Sequence, residues 1–209
     1  MAGTSTSPAR ILATIIDLAV KVATVGLLAY AVLNPDLPQF TGKAFTGRAV
    51  VYPIALLALP ILWWLFGRRR IAFPVAADIL FGLPFLIDVV GNALNLYDTI
   101  WWWDDANHFV NWALQTSAVV LLMRNGGWGY WTRAGLAFGW AVTTAVLWEF
   151  AEYVTFVPGS PEAATAYGDT LLDVALGMAG GGIAALVVGR LPRAIRDQRV
   201  RDVGPAFRR

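Results

Sequence analysis

The chain has 209 residues and no cysteine, and 57% of its residues are hydrophobic while only 14% are charged. Soluble domains carry about 25% charged residues, so we expect this chain to fold in a lipid environment. The apolar content excludes a disordered chain, and the missing cysteines exclude disulfides and thiolate metal sites. The net charge of +2 is too small to indicate nucleic-acid binding.

Six segments are long and apolar enough to cross a bilayer, which takes about 20 mostly apolar residues. They predict an all-α polytopic membrane protein, a six-transmembrane-helix bundle that forms one domain over residues 1–189. A basic cytoplasmic tail over residues 190–209 follows it. In chain order, the predicted spans are Ile11–Leu33, Ala49–Gly67, Phe73–Tyr97, Asp105–Met123, Ala134–Phe156 and Thr170–Gly189.

The basic residues predict the orientation of these spans. Thirteen of the 16 Lys and Arg residues fall on one side of the membrane in this arrangement. Because cytoplasmic loops are enriched in Lys and Arg, both termini are predicted to be cytoplasmic, in a prokaryotic inner membrane. The thirteen residues are Arg10, Arg68, Arg69, Arg70, Arg124, Arg133, Arg190, Arg193, Arg196, Arg199, Arg201, Arg208 and Arg209.

Eight of the 14 acidic residues, and the only histidine, are predicted to lie at the outer ends of the third to sixth spans. Residues three or four apart share a helix face. The shared faces are Asp88, Asn92 and Asn95 on the third span; Asp104 or Asp105, His108, Asn111 and Gln115 on the fourth; Glu149 and Glu152 on the fifth; and Asp169 and Asp173, continued by Gly177 and Gly181, on the sixth. Asp98 precedes the fourth span. The second span has no polar stripe and is predicted to be peripheral and lipid-facing.

Few cations are available to neutralise the outer carboxylates. Lys21 is predicted to pair with Asp17, and Lys43 and Arg48 can reach at most two carboxylates. Clustered carboxylates must then be protonated or bind a cation, and carboxylates on adjoining helices are typical of metal sites in bundles. We therefore expect a divalent metal, with Mg, Mn, Ca, Zn and Fe all left open. The candidate ligands are Asp88, Asp105, His108, Glu149, Glu152, Asp169 and Asp173. The alternative is protonated carboxylates that only hold helices together.

Three motifs resemble known families. They are Tyr97-Asp98 leading to Asp104-Asp105-Ala106-Asn107-His108-Phe109, then Trp148-Glu149-Phe150-Ala151-Glu152, and then Tyr167-Gly168-Asp169-Thr170-Leu171-Leu172-Asp173. The set resembles the YjdF-like family of small prokaryotic inner-membrane proteins and, more distantly, VanZ-like proteins. The first resemblance implies a membrane fold with a polar site but no particular reaction. The second implies a role in the cell envelope, although Ala175, Leu176 and Gly177 stand where the VanZ-like pattern has an Asn.

Three functions remain open. The first is a metal-dependent hydrolase or transferase that acts on a membrane lipid or lipid-linked envelope substrate, with Asp105 or His108 as general base. The outer spans offer this enzyme no arginine as a phosphate clamp. The second is a cation or proton transporter, whose polar path would continue from Gln115 to Asp78. The third is a non-catalytic envelope scaffold. No nucleic-acid partner is expected.

Overall fold

All regular structure in the part of the chain that the computed structural model describes, residues 7–124, 126–155 and 161–191, is helical. A π-helical turn (Trp63–Gly67) continues α2, and a 3-10 turn (Pro161–Ala164) precedes α7. The α-helices are α1 (Pro8–Leu33), α2 (Phe45–Leu62), α3 (Val75–Ala93), α4 (Leu96–Thr99), α5 (Trp103–Met123), α6 (Tyr130–Thr155) and α7 (Ala166–Gly189).

Among the described residues, five helices are long and apolar enough to cross a membrane: α1, α2 with its π-helical turn, α3, α6 and α7. The predicted fourth span corresponds to α5, whose 21 residues are enough to cross but whose sequence is more polar. α5 packs against α3, α6 and α7. Its polar side chains Asn107, His108, Gln115 and Thr116 are therefore buried among helices. The structure supports five of the six predicted spans, and a membrane-crossing α5 stays a prediction.

Successive long helices alternate in direction, so the bundle has two ends. One end, here the arginine end, carries the start of α1 and α3, and Arg68, Arg69 and Arg70 after the π-helical turn. The other, here the site end, carries the end of α3 and α6 and the start of α5 and α7. The part of the predicted tail after Leu191 lies outside the described residues. Phe156, at the predicted end of the fifth span, also lies outside them.

Two glycines let α7 pack closely against its neighbours. A Cβ atom at Gly180 would overlap the backbone carbonyl of Phe109 in α5, and one at Gly181 would overlap the side chain of Ala141 in α6. Small residues at helix interfaces allow such backbone approach in membranes. The interface of α5, α6 and α7 is therefore tightly packed one to two turns beyond the acidic residues of α7.

A second polar cluster lies where α1 packs against α3. Lys21 contacts Asp17, as predicted, and its Nζ also lies 2.6 Å from Oδ2 of Asp78. The predicted pair with Asp17 is present, and α3 brings a second carboxylate to the same ammonium group, which the sequence did not show. Asp78 is 2% exposed, so it is a buried ion-pair partner and not a free end of a polar path.

The predicted end of the third span was wrong, and the second span makes polar contacts that the sequence did not show. The helix of the third span ends at Ala93 instead of Tyr97, and Asn95 adopts φ 58°, the left-handed conformation that Asn tolerates. Asn95 therefore does not extend the polar stripe of α3. The second span is peripheral, as predicted, with 11% of its most apolar window buried, but Arg48 just before it and Tyr52 within it both reach Asp88 of α3.

Candidate metal centre

Three helices bring one histidine and several carboxylates together at the site end. His108 lies in the second turn of α5, Glu149 near the end of α6 and Asp173 in the second turn of α7. Antiparallel packing of α6 against its neighbours places the end of that helix beside the start of α5 and α7. The structure therefore brings together these three residues of the predicted polar faces on the fourth, fifth and sixth spans.

The imidazole of His108 is at the centre of this arrangement. Its Nε2 lies 3.7 Å from Oδ1 of Asp104 and 3.7 Å from Oδ1 of Asp173. Its Nδ1 lies 3.6 Å from Oε1 of Glu149. Good hydrogen bonds to nitrogen are shorter, about 2.7–3.2 Å. Two ligands held about 2.0–2.2 Å from one ion at a tetrahedral angle lie about 3.3–3.6 Å apart. The observed spacing is closer to that of ligands sharing a metal.

The two buried carboxylates that face His108 each have one oxygen without a hydrogen-bond partner. These oxygens are Oε1 of Glu149 and Oδ1 of Asp173, the same atoms that face His108. Glu149 is 6% exposed and Asp173 is 2% exposed. A buried acceptor without a donor costs about 1–3 kcal/mol, and more when it is charged. Both oxygens therefore require a proton or a cation.

Two overlapping groups of side chains offer ligand atoms within 4.8 Å of one another. The first consists of Asp104, His108 and Asp173, and the second of His108, Glu149 and Glu152. Together these five residues are called the His108 cluster below. Four of them, all except Asp104, were predicted metal ligands. The cluster combines carboxylate oxygens with one imidazole, a donor set suited to Mg, Mn, Ca, Zn or Fe.

The other predicted ligands lie at or beyond the edge of the cluster. Asp105 is half-buried and near enough to Asp169 and Asp173 for their charges to interact. Asp169 is exposed in the first turn of α7. The sequence interpretation preferred Asp105 to Asp104. The structure brings Asp104 to His108, with Oδ1 of Asp104 3.7 Å from Nε2.

Asp88, also a predicted ligand, belongs to a separate network. Both of its carboxylate oxygens accept hydrogen bonds from Nη1 of Arg48, at 2.8 and 2.7 Å. The hydroxyls of Tyr52 and Tyr97 donate to the same carboxylate, and Asn92 donates to it from the next turn of α3. Burial and the nearby Asp88 charge raise the pKa of Tyr97, so its phenol stays protonated as a donor. Asp88 is thus well neutralised without a metal.

Sequence reasoning missed Arg48, Tyr52 and Tyr97 as partners of Asp88. Tyr97 returns to Asp88 because the chain turns at Asn95, a feature that helical periodicity does not show. Lys43 pairs with the exposed Asp98 at 2.9 Å. The prediction that Lys43 and Arg48 engage at most two carboxylates agrees with these contacts. The charge of Arg48 also reaches Asp104 and Glu152 of the His108 cluster.

Comparison with known proteins gives one result. Residues 16–194 match the family model described as predicted membrane protein (DUF2238). No curated protein and no solved structure gives a significant match. The family match agrees with the predicted membrane character of the chain, while the YjdF-like and VanZ-like names rest on the sequence motifs alone. Because the match covers most of the sequence, the chain belongs to the DUF2238 family of predicted membrane proteins.

Proposed function

We propose that the protein binds a divalent metal in the His108 cluster and uses it to hydrolyse, or transfer a group from, a membrane lipid or lipid-linked envelope substrate. The observation that carries this proposal is the pair of unpartnered, buried oxygens on Glu149 and Asp173. Each faces a ring nitrogen of His108 at a distance suited to a shared ion. A purely structural cluster would satisfy these oxygens with hydrogen bonds.

The chemistry follows from the donor set. A divalent ion held by carboxylates and an imidazole polarises a phosphoryl or carbonyl oxygen and activates a water molecule. Asp105, at the edge of the cluster, is assigned as the base that takes the proton of the attacking water. Water then adds to the phosphorus or carbonyl carbon, and the P–O or C–O bond to the leaving group breaks. The departing oxygen leaves as an alcohol or acid with the proton that Asp105 took from the water.

The position of the cluster favours a lipid substrate. Trp101 is 88% exposed and Trp102 is 46% exposed, and both lie immediately before α5. Exposed tryptophans are enriched at membrane interfaces. These tryptophans support a cluster, beginning at Asp104, that lies close to the interface and within reach of a lipid headgroup.

The packing beyond the cluster favours this proposal over transport. A transporter needs a polar path from the cluster toward the arginine end, and Asp78 was its predicted end point. Asp78 pairs with Lys21, and the close contacts at Gly180 and Gly181 fill the space between α5, α6 and α7. These contacts support a site that opens at one end of the bundle only.

The test is metal content. The protein is purified in detergent without a polyhistidine tag, incubated with Zn²⁺ or Mn²⁺, desalted and analysed for bound metal. We expect at least one ion per chain in the wild type and a loss of at least tenfold in affinity in a Glu149→Gln and Asp173→Asn double variant. Asp36→Asn, which removes one negative charge from an exposed loop, is the control and should bind the metal normally. Equal and sub-stoichiometric metal in all three proteins would overturn the proposal.

A second measurement tests the catalytic part. Wild type and the double variant are incubated with Mn²⁺ or Zn²⁺ in mixed micelles of a polar lipid extract, and the lipids are followed by mass spectrometry. Metal-dependent loss of one lipid class in the wild type alone is the expected result. Metal binding without any lipid turnover would contradict the hydrolase or transferase assignment while leaving the metal site in place.

A further inference from the structure

His108 lies between the two carboxylate groups of the cluster, and it presents a different ring nitrogen to each. Nε2 faces Asp104 and Asp173, whereas Nδ1 faces Glu149. We propose that the centre holds two divalent cations, one on each side of the imidazole. This inference rests on the proposed metal site and specifies its composition.

A single ion cannot serve both sides. The lone pairs of the two ring nitrogens point away from each other, so an ion bound at Nε2 is out of reach of Nδ1. The two groups with ligand atoms within 4.8 Å share only His108. An ion with Asp104 and Asp173 therefore uses Nε2, and an ion with Glu149 and Glu152 uses Nδ1. When both ions are bound, the ring bridges them as an imidazolate whose second proton has gone to solvent.

The unpartnered oxygens point to the same conclusion independently. One of them, Oδ1 of Asp173, belongs to the first group, and the other, Oε1 of Glu149, belongs to the second. Both residues are more than nine-tenths buried and both atoms are aimed at the ring. One ion on Nε2 would satisfy Oδ1 of Asp173, but Oε1 of Glu149 lies 3.6 Å from Nδ1, longer than a good hydrogen bond. Two ions satisfy both.

The charges of the site end agree with two ions. Asp88 pairs with Arg48, and Asp98 pairs with Lys43. The His108 cluster retains four carboxylates, two in each group. Two divalent cations offset the four carboxylate charges and leave one net negative charge, that of the bridging imidazolate. Buried charges that are paired cost far less than unpaired ones. Paired metal ions also clamp both the attacking and the leaving oxygen in hydrolytic sites.

The stoichiometry of Zn²⁺ binding tests this inference. Tag-free protein in detergent is titrated with Zn²⁺ by calorimetry, and bound zinc is measured after desalting. We expect two ions per wild-type chain. One ion is expected in an Asp104→Asn and Asp173→Asn variant, and one in a Glu149→Gln and Glu152→Gln variant. Asp36→Asn should keep both.

The outcomes separate the two proposals. One ion in the wild type would overturn the paired site but not the metal centre, and none would overturn both. The wild-type result stands even if a variant fails to fold, which size-exclusion chromatography of each protein reveals. If either paired variant is folded and still binds two ions, the assignment of ligands to the two groups is wrong.

Discussion

At the scale of single residues, the acidic side chains of the site end differ in their burial and in the number of hydrogen-bond donors around each carboxylate. Asp88 receives donors from Arg48, Tyr52 and Tyr97. Glu149 and Asp173 are equally buried but each has an oxygen without a donor. The sequence places all three on helical faces and cannot show which of them a cation or hydroxyl reaches. That difference arises from contacts between helices distant in the chain.

The same limit explains the choice between Asp104 and Asp105. Adjacent residues differ by about 100° around a helix, and both are spaced to share a face with His108. The packing of α5 against α7 decides which one turns toward the imidazole, and the structure selects Asp104. His108, Glu149 and Asp173 were predictable because the charged residues of the spans are so few.

The ion pair between Arg48 and Asp88 gives a prediction at this scale. Their side chains are only 11% and 10% exposed, so Arg48→Met leaves a buried carboxylate without its cation. Breaking a buried pair on one side costs about 3–5 kcal/mol. Lys43→Met is the matched control, because its partner Asp98 is 46% exposed and exposed pairs contribute about 1 kcal/mol or less.

Unfolding of both variants in detergent, measured by circular dichroism against denaturant, checks this prediction. The account requires a much larger loss of unfolding free energy in Arg48→Met than in Lys43→Met. Equal losses would mean that the tyrosine hydroxyls and Asn92 are enough to hold Asp88.

At the scale of the elements, α7 is fitted to its neighbours by small residues. The sequence indicates close packing along Gly177 and Gly181, since glycines one turn apart on a polar helix face are typical of helix contacts in membranes. It does not show that Gly180 lies against the backbone of Phe109. It also misses the end of α3 at Ala93, because the residues that follow are apolar enough to continue a span.

Alanine substitutions in these helices test the packing. Gly180→Ala places a methyl group on the Phe109 carbonyl, which cannot move without displacing α5, and overpacking of this kind costs about 1–3 kcal/mol. Gly139→Ala in α6 is the control, because a Cβ there meets nothing within 4 Å. Alanine is the better helix former by about 1 kcal/mol in water, so this variant should be unchanged or slightly more stable.

The thermal midpoint of each variant in detergent is the readout, with Zn²⁺ affinity as a second one. Gly180→Ala should lower both, since α5 carries His108 and α7 carries Asp173. A Gly180→Ala protein as stable as Gly139→Ala would contradict the close approach of the two helices.

At the scale of the whole molecule, charge is distributed unequally between the two ends of the bundle. The arginine end carries the arginines at 68–70, and the site end carries the His108 cluster. Composition and hydropathy were enough to predict a helical membrane protein, and five helices meet that expectation. The helix of the predicted fourth span, α5, is long enough to cross but carries polar residues that other helices bury. Hydropathy alone cannot distinguish such a helix from an exposed polar helix.

The unequal distribution predicts an orientation that labelling can test. The chain has no cysteine, so single cysteines can be added without a background. Asp36→Cys lies between α1 and α2 at the site end, and Ile71→Cys, 52% exposed, lies between α2 and α3 at the arginine end. By the positive-inside rule, a membrane-impermeant maleimide should label only Asp36→Cys in intact cells. Labelling of Ile71→Cys alone would mean that the orientation is the reverse of the predicted one, with the His108 cluster on the cytoplasmic side.

The central claim is that His108 and its surrounding carboxylates bind a metal, and X-ray absorption of the Zn²⁺-loaded protein tests it most directly. His108 is the only histidine of the chain, so in a tag-free protein any imidazole scattering around zinc must come from it. We predict nitrogen and oxygen neighbours at about 2.0–2.2 Å with imidazole scattering beyond them, and loss of that scattering in His108→Gln. Zinc with oxygen neighbours only, or a spectrum that His108→Gln leaves unchanged, would contradict the account.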